Sequence, residues 1–139
     1  MVHFVGAGPG APDLITQRGA ALLQKADSII YAGSLVNPAL LGFAKPECAI
    51  YNSAEMTLEQ VLETIKSNEA AHKTTVRLHT GDPCLYGAVR EQMDALDAWG
   101  IAYDDTETVL TDMTDTTMAL TANRAGEQGM WYITYYLED

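Results

Sequence analysis

The sequence has 139 residues, a length that suits one domain with its own hydrophobic core. Its 19 acidic residues outnumber its 8 basic residues, and the resulting net charge of −11 argues against nucleic acid and an anionic membrane surface as partners. No apolar run is long enough to cross a bilayer, and the first residues lack the basic and apolar regions of a secretory signal. We therefore expect a cytoplasmic protein.

The cysteines and histidines are scattered along the chain. Cys48 and Cys84 stand alone, without a Cys-x-x-Cys pair, and His3, His72 and His79 are dispersed as well. None of these residues has the spacing of a metal-binding motif. We expect two reduced, structural cysteines and no metal site.

Segments with the pattern of strands and of helices alternate along the chain. The predicted strands are residues 2–6, 28–31, 49–51, 74–79, 101–103 and 130–137. The predicted helices are residues 16–25, 57–71 and 83–99, followed by one that begins at Thr111 or Asp112. This alternation is typical of an α/β fold, and we expect a single three-layer domain in which helices flank a mostly parallel sheet of five or six strands.

The second predicted helix has the clearest start. Thr57 and Gln60 match a capping box, in which the threonine hydroxyl and the glutamine side chain satisfy backbone amides at the helix start. Apolar residues then recur every three or four positions, which predicts that one face of the helix packs on the sheet. These residues are Leu58, Val61, Leu62 and Ile65.

The third predicted helix has start and stop signals as well. Asp82 is its predicted cap, and Pro83 occupies the first position, where the missing amide costs nothing. Gly100 is expected to end the helix. The predicted buried stripe consists of Leu85, Val89, Met93 and Leu96.

A glycine-rich segment, Gly6–Thr16, lies where the first strand ends and the first helix begins. Ligands bind at this edge of a parallel α/β sheet, and glycines let the backbone approach a ligand without an intervening Cβ. The spacing differs from a dinucleotide fingerprint, because Pro9 and Pro12 remove two amides that a phosphate cradle needs. A ligand-binding loop, a dinucleotide loop and a tight turn without a ligand remain open here.

Two further segments follow strands and border the same edge. His79–Gly87 follows the fourth predicted strand. In it Gly81 allows close approach of the backbone, Asp82 is both a helix cap and a carboxylate, and Tyr86 offers a flat face with a polar tip. Tyr31–Val36 follows the second predicted strand. Taken alone, the segment His79–Gly87 also fits a structural helix cap, and the segment Tyr31–Val36 also fits a structural turn.

Taken together and in this order, the three segments resemble the cobalamin-pathway branch of the tetrapyrrole methyltransferases, and most of all the precorrin-4 and cobalt-precorrin-4 C11-methyltransferases. The resemblance runs from Val2 to about Asp104 and covers nearly the whole N-terminal domain of that family. The matching segments are Gly6–Gly10, Asp13–Thr16, Tyr31–Pro38, Ser53–Ala54, Met56–Leu58, Arg77–Pro83, Leu85–Ala88 and Arg90–Gln92.

The resemblance implies a two-domain α/β enzyme, usually a dimer, that binds S-adenosylmethionine (SAM) in a trough between its domains. Such an enzyme methylates a ring carbon of a corrinoid precursor and leaves S-adenosylhomocysteine (SAH). The residues that carry over to the cofactor site are Gly81, Asp82, Pro83, Leu85 and Pro9. Those that carry over to the tetrapyrrole side are Tyr31, Ser34 and Tyr86.

The implied substrate bears several carboxylates, so its binding depends on local cations. Arg77 and Arg90 are the cations nearest in sequence to the second segment, and we expect Arg90 to contact the substrate. For both arginines, a solvated surface position or a structural ion pair is the alternative. No catalytic base is identified, because methyl transfer from a sulfonium depends on alignment and exclusion of water and needs no nucleophilic side chain.

The sequence departs from the family pattern after Asp104. The family continues with a Val-Pro-Gly-Val-Ser-Ser-like loop that completes the cofactor site, whereas Thr108–Thr114 contains neither the proline nor the glycine. We expect residues 1–104 to form the cofactor-binding domain, and residues 105–139 to form a divergent tail of one helix and a final strand packed on it.

The C-terminal domain of the family has no counterpart in this chain. We therefore expect a SAM-binding half that is inactive alone and that forms a homodimer through its exposed interdomain face. The alternatives are a competent methyltransferase that works as an oligomer, a structural α/β domain without a ligand, whether engineered or shortened, and a nucleotide-binding module.

Overall fold

The structure is a computed structural model, and it describes residues 1–33, 35–81 and 89–105. Its strands are β1 Val2–Gly6, β2 Ser28–Tyr31, β3 Ala49–Asn52, β4 Thr75–His79 and β5 Tyr103–Asp105. Within the described residues these strands form one five-stranded sheet in the order β3-β2-β4-β1-β5, and all paired neighbours run parallel. The predicted α/β fold with a parallel sheet is confirmed.

Helices and short turns connect the strands. The helices of the described part are α1 Gln17–Lys25, α2 Leu58–Ala70 and α3 Arg90–Ala98. Short 3-10 helices lie at Pro12–Leu14, Pro38–Phe43 and Ser53–Glu55. The chain thus alternates between strands and helices as the sequence pattern predicts.

The two faces of the sheet carry separate apolar cores. Neighbouring residues of a strand point to opposite faces, and Val5 and Phe4 of β1 accordingly belong to different cores. Val5 packs with Leu23 of α1, whereas Phe4 packs with Ile65 of α2 and Leu96 of α3. Helices therefore cover both faces, and the predicted three-layer arrangement is confirmed.

The helix α2 starts as predicted. The hydroxyl of Thr57 accepts a hydrogen bond from the Gln60 amide at 3.2 Å, and the Gln60 side chain accepts one from the Thr57 amide at 2.9 Å. Val61 and Ile65 face the core, but Leu58 is 42% exposed, so the prediction that Leu58 packs on the sheet was wrong. The reason is its position at the first residue of the helix, one turn before the buried Val61.

The helix α3 begins later than predicted. It starts at Arg90, whereas the sequence predicts a start at Pro83. The predicted cap Asp82, together with Pro83 and Leu85, lies outside the described residues. The other members of the predicted stripe, Val89, Met93 and Leu96, are buried.

Gly100 ends α3 as predicted, with a φ of +66°. The amide of the next residue, Ile101, donates a hydrogen bond to the Leu96 carbonyl at 2.9 Å, which is the pattern of a Schellman motif. The Ile101 side chain packs against the core that contains Phe4. The prediction that a strand begins at Ile101 was therefore wrong, because this residue closes the helix and β5 begins at Tyr103.

Several predictions concern residues outside the described part of the chain: Cys84, the helix from Thr111 or Asp112, and the strand 130–137. Among the described residues, no helix has the length and apolarity to span a membrane. The same residues contain no group of three or more His, Cys, Asp or Glu side chains that could hold a metal ion. Cys48 is half-buried, and burial raises the pKa of its thiol.

Candidate functional site

The loops that follow β1 and β4 start at the same edge of the sheet, because the two strands are parallel neighbours. Gly6 and His79 form the last pair of the strand ladder. Just beyond it, the amide of Ala7 donates a hydrogen bond to the His79 carbonyl at 2.7 Å. The amide of Gly81 then donates one to the Gly8 carbonyl at 3.2 Å. The first two predicted loop segments therefore meet directly.

Three glycines of these loops have left-handed backbone conformations, with φ of +69° at Gly8, +123° at Gly10 and +57° at Gly81. Residues with a Cβ rarely adopt such angles. A Cβ on Gly8 would also lie 2.9 Å from the carbonyl oxygen of Leu14. At Gly10 and Gly81 a Cβ would meet no atom of the described residues within 4 Å.

The chain leaves β1 and β4 toward opposite faces of the sheet. After β1 it leads to α1, whose Leu23 packs with Val5. After β4 it leads to α3, whose Leu96 packs with Phe4 on the other face. In a parallel α/β sheet such a divergence opens a crevice at the carboxyl ends of the strands, which is the usual place for a ligand.

The third predicted segment borders the same edge. β2 is the other neighbour of β4, and the amide of Ala32 donates a hydrogen bond to the Leu78 carbonyl of β4 at 3.1 Å. Further along this loop, the side-chain amide of Asn37 donates one to the Gly10 carbonyl at 2.8 Å. The loops that follow β1, β2 and β4 are thus held together by hydrogen bonds.

The predicted site residues are distributed as follows. Pro9 and Gly81 are exposed where the loops after β1 and β4 meet, and Tyr31 is half-buried at the end of β2. Arg90 is exposed on α3, where its guanidinium donates to the Asp94 carboxylate at 3.0 Å. The remaining candidates, Ser34, Asp82, Pro83, Leu85 and Tyr86, lie outside the described residues.

Arg77 is buried on β4, with 5% of its surface exposed. Its guanidinium donates to the Gln92 side-chain oxygen at 3.0 Å, to the Ile30 carbonyl at 3.1 Å and to the Ser53 hydroxyl at 3.1 Å. Burial lowers the pKa of Arg77 to about 10, so the group stays charged at neutral pH. Within the described residues, Arg77 fits neither alternative, a solvated surface position or a structural ion pair, because it is buried and these three acceptors are neutral oxygens.

His79 shares a face of β4 with Arg77, because the two residues are separated by two positions. Its ring stacks on Phe4, with 6.5 Å between the ring centroids. Burial and the charge of Arg77 lower the pKa of His79 to about 3. The imidazole is therefore neutral, and its buried Nε2 has no hydrogen-bond partner among the described residues.

Comparison with known proteins identifies the family. The family model of the tetrapyrrole (corrin/porphyrin) methylases matches residues 1–105. The chain belongs to this family. It is 52% identical over 100 residues to a cobalt-precorrin-4 C(11)-methyltransferase of Methanocaldococcus jannaschii, which covers 72% of this chain and 39% of that protein. The resemblance found in the sequence is confirmed.

Solved structures of tetrapyrrole methylases have the same fold. A cobalt precorrin-4 methyltransferase described as a cobalamin biosynthetic enzyme matches with a TM-score of 0.73 and 43% identity, over 75% of this chain and 44% of its own. A uroporphyrin-III C-methyl transferase of Thermus thermophilus complexed with S-adenyl homocysteine matches with a TM-score of 0.63 and 30% identity, over 76% of this chain and 43% of its own. The chain thus spans less than half the length of these relatives.

Sequence reasoning missed the roles of three polar residues in this tetrapyrrole methylase. Gln92 and Ser53 accept hydrogen bonds from Arg77, and His79 is a buried neutral imidazole. The available signal was the alternation along β4, where Arg77 and His79 stand on one face of a strand that is buried on both faces. A charged residue in such a strand needs polar partners on the elements that cover it.

Proposed function

We propose that this chain is the SAM-binding half of a precorrin-4 or cobalt-precorrin-4 C11-methyltransferase of cobalamin biosynthesis. The observation that carries the proposal is the direct contact of the Gly8 and Gly81 loops at the edge where the chain diverges from β1 and β4. Membership of the tetrapyrrole methylases supports it, as does the complex of a relative with S-adenyl homocysteine.

The residues of this edge suit a sulfonium nucleoside. Gly10 and Gly81 carry no Cβ, so the backbone can approach a flat nucleoside closely there. The nearby imidazole of His79 is neutral and does not repel a cationic sulfonium. When bound, SAM supplies an electrophilic methyl group, and the part of the protein is to align it with the acceptor carbon and to exclude water.

The proposed ligand contacts keep the assignments that the family resemblance implies. Gly81, Asp82, Pro83, Leu85 and Pro9 are proposed to line the cofactor site. Tyr31, Ser34, Tyr86 and Arg90 are proposed to face the tetrapyrrole, with Arg90 directed at a substrate carboxylate. Asp82 would balance the positive charge of the cofactor or accept a hydrogen bond from it.

We propose further that the chain is inactive alone. It matches only 39% of the length of its Methanocaldococcus jannaschii relative, and in the proposed arrangement the other wall of the site belongs to the part that it does not match. Residues 1–104 would then be the cofactor-binding domain and residues 105–139 a divergent tail. Homodimer formation and a cytoplasmic location complete the proposal.

Titration of the chain with SAH by calorimetry tests this function. The expected result is heat release with one SAH per chain, abolished in Asp82→Ala. Glu59→Ala is the matched control, because Glu59 is an exposed carboxylate on α2, away from the loops. This variant should bind SAH as the unmodified chain does.

Two results would contradict the proposal. Absence of heat at millimolar SAH would leave a structural α/β domain, and binding of NAD or ATP in place of SAH would indicate a nucleotide-binding module. Methyl transfer to a tetrapyrrole by the chain alone would retain the SAM site but overturn the proposed inactivity.

A further inference from the structure

Ser53, the first residue of the turn after β3, connects two parts of the molecule. Its hydroxyl donates a hydrogen bond to the carbonyl oxygen of Tyr31, the last residue of β2, at 3.1 Å. The same hydroxyl accepts a hydrogen bond from the buried guanidinium of Arg77 at 3.1 Å. One hydroxyl group thus links the charged centre of β4 to the point where the chain leaves β2 for the candidate site.

A second contact lies beside the first. Gly33, two residues after Tyr31, packs so closely against Asn52 that a Cβ on Gly33 would overlap the Asn52 side chain. The Asn52 side chain cannot move away freely, because it accepts a hydrogen bond from the Ala54 amide at 3.0 Å and donates one to Glu55 at 3.1 Å. The loop after β2 is therefore held against the turn after β3 at two successive points.

The guanidinium of Arg77 connects this arrangement to further elements. It also bonds the Ile30 carbonyl of β2 and the Gln92 side chain of α3, each at a different nitrogen. A planar group with donors in fixed directions sets the relative positions of its three acceptors, which a flexible ammonium does not do. We call the set Tyr31, Gly33, Asn52, Ser53 and Arg77 the Ser53 junction.

We propose that Ser53 is a positioning residue of the candidate site, acting through the Tyr31 carbonyl to fix the loop that follows β2. This inference rests on the proposed function, because Tyr31 and the loop after it are proposed to face the tetrapyrrole. The loop also reaches the cofactor side, where Asn37 bonds the Gly10 carbonyl. A displacement at Tyr31 would therefore reach both ligand sites.

Ser53→Ala tests the proposal in the full chain, with Ser28→Ala as the matched control. Ser28 lies at the opposite end of β2, and its buried hydroxyl has no hydrogen-bond partner in the described part of the chain. Two readouts are needed. Hydrogen exchange at the Ala32 amide, which bonds the Leu78 carbonyl, reports the loop without any ligand, and calorimetry reports the dissociation constant for SAH.

We expect Ser53→Ala to speed exchange at Ala32 and to weaken SAH binding, each by about fivefold, the change that loss of the hydrogen bond to the Tyr31 carbonyl alone produces. Exchange at the Ser28 amide, which bonds Thr74 at the far end of β2, should not change. Ser53→Thr keeps the hydroxyl and should restore both values. Ser28→Ala should match the unmodified chain in both.

Two outcomes would overturn the positioning role. One is an equal effect of Ser53→Ala and Ser28→Ala on exchange at Ala32. The other is faster exchange with an unchanged SAH affinity, which would make the junction purely structural. Failure of the unmodified chain to bind SAH would instead contradict the proposed function, and the exchange comparison would then decide by itself whether the junction holds the loop.

Discussion

The Gly81 amide donates a hydrogen bond to the Gly8 carbonyl at 3.2 Å, and this contact joins two loops that are far apart in the sequence. It is an antiparallel bridge between segments that extend two parallel strands, so the chain must change direction just after β1 and β4. The left-handed φ of both glycines provides that change of direction. The geometry of the candidate site therefore depends on residues without a side chain.

Gly8→Ala should destabilise the chain by about 1–3 kcal/mol, because the backbone conformation is strained for alanine and its Cβ would lie against backbone. Leu14, whose carbonyl oxygen is the nearest atom to that Cβ, cannot move without shifting its turn. Urea unfolding measures the effect. Gly42→Ala is the control, because a Cβ there meets no described atom within 4 Å, and its stability should be unchanged or slightly higher. Equal stabilities of the two variants would contradict the strained geometry at Gly8.

Gly33→Ala should lower stability by about 1–2 kcal/mol, because the new Cβ displaces the Asn52 side chain and breaks its hydrogen bonds. Denaturant unfolding of Gly33→Ala, Asn52→Ala and the double variant gives the interaction energy between the two positions. Once Asn52 is truncated, the methyl group at residue 33 has room. The free energy of unfolding of the double variant should therefore fall by clearly less than the sum of the decreases in the two single variants. Strict additivity would mean that the two residues are not in contact.

The core of the fold could be predicted from sequence because each element carries its own local signal. The capping box at Thr57 and the stop at Gly100 are examples. Leu58 and Ile101 were misassigned for the opposite reason. Both residues are apolar, and each continues the spacing of a predicted helix or strand. Leu58, however, lies at the exposed start of α2, and Ile101 closes the Schellman motif at the end of α3. Such end effects depend on tertiary contacts that a local pattern does not contain.

The candidate site was predictable only in part. A parallel sheet places the loops after its strands at one edge, which brings the glycine segments to the same side of the molecule. That the first and fourth strands are neighbours, and hence that Gly8 contacts Gly81, depends on strand order, which the local patterns do not specify. The burial of Arg77 was missed because its acceptors come from three separate elements.

Arg90→Ala tests the proposed contact with a substrate carboxylate. The Arg90 ion pair with Asp94 is exposed, so its loss should change stability by less than about 1 kcal/mol. Affinity for a carboxylated porphyrin, measured by quenching of tryptophan fluorescence, should fall by up to about fivefold, and less at high salt. Arg18→Ala on α1 is the control for net charge, because Arg18 is also exposed on a helix. An equal loss of porphyrin affinity in both variants would mean that Arg90 is a solvated surface residue that makes no specific contact with the substrate.

The neutral imidazole of His79 makes a prediction about acid stability. Burial and the charge of Arg77 lower its pKa from 6.5 to about 3 in the folded chain, whereas the unfolded chain keeps the ordinary value. Between these two values the unfolded state binds a proton that the folded state does not. His79 therefore costs stability as the pH falls from about 6.5 toward 3, at about 1.4 kcal/mol per pH unit once the unfolded group is protonated.

Free energies of unfolding measured between pH 7 and pH 5 avoid the range where most carboxylates titrate, and comparison with a variant that lacks His79 isolates this contribution. With His79→Gln, the free energy of unfolding should decline less steeply as the pH falls. This holds whatever the substitution does to stability at pH 7, because the slope against pH depends on the proton that the unfolded state binds at residue 79. His72→Asn is the matched control, since His72 is exposed and its φ of +57° is one that asparagine tolerates. Identical slopes for His79→Gln and the unmodified chain would mean that His79 takes up a proton in the folded state. Below about pH 6.5 the folded chain would then carry a second cation on β4 beside Arg77.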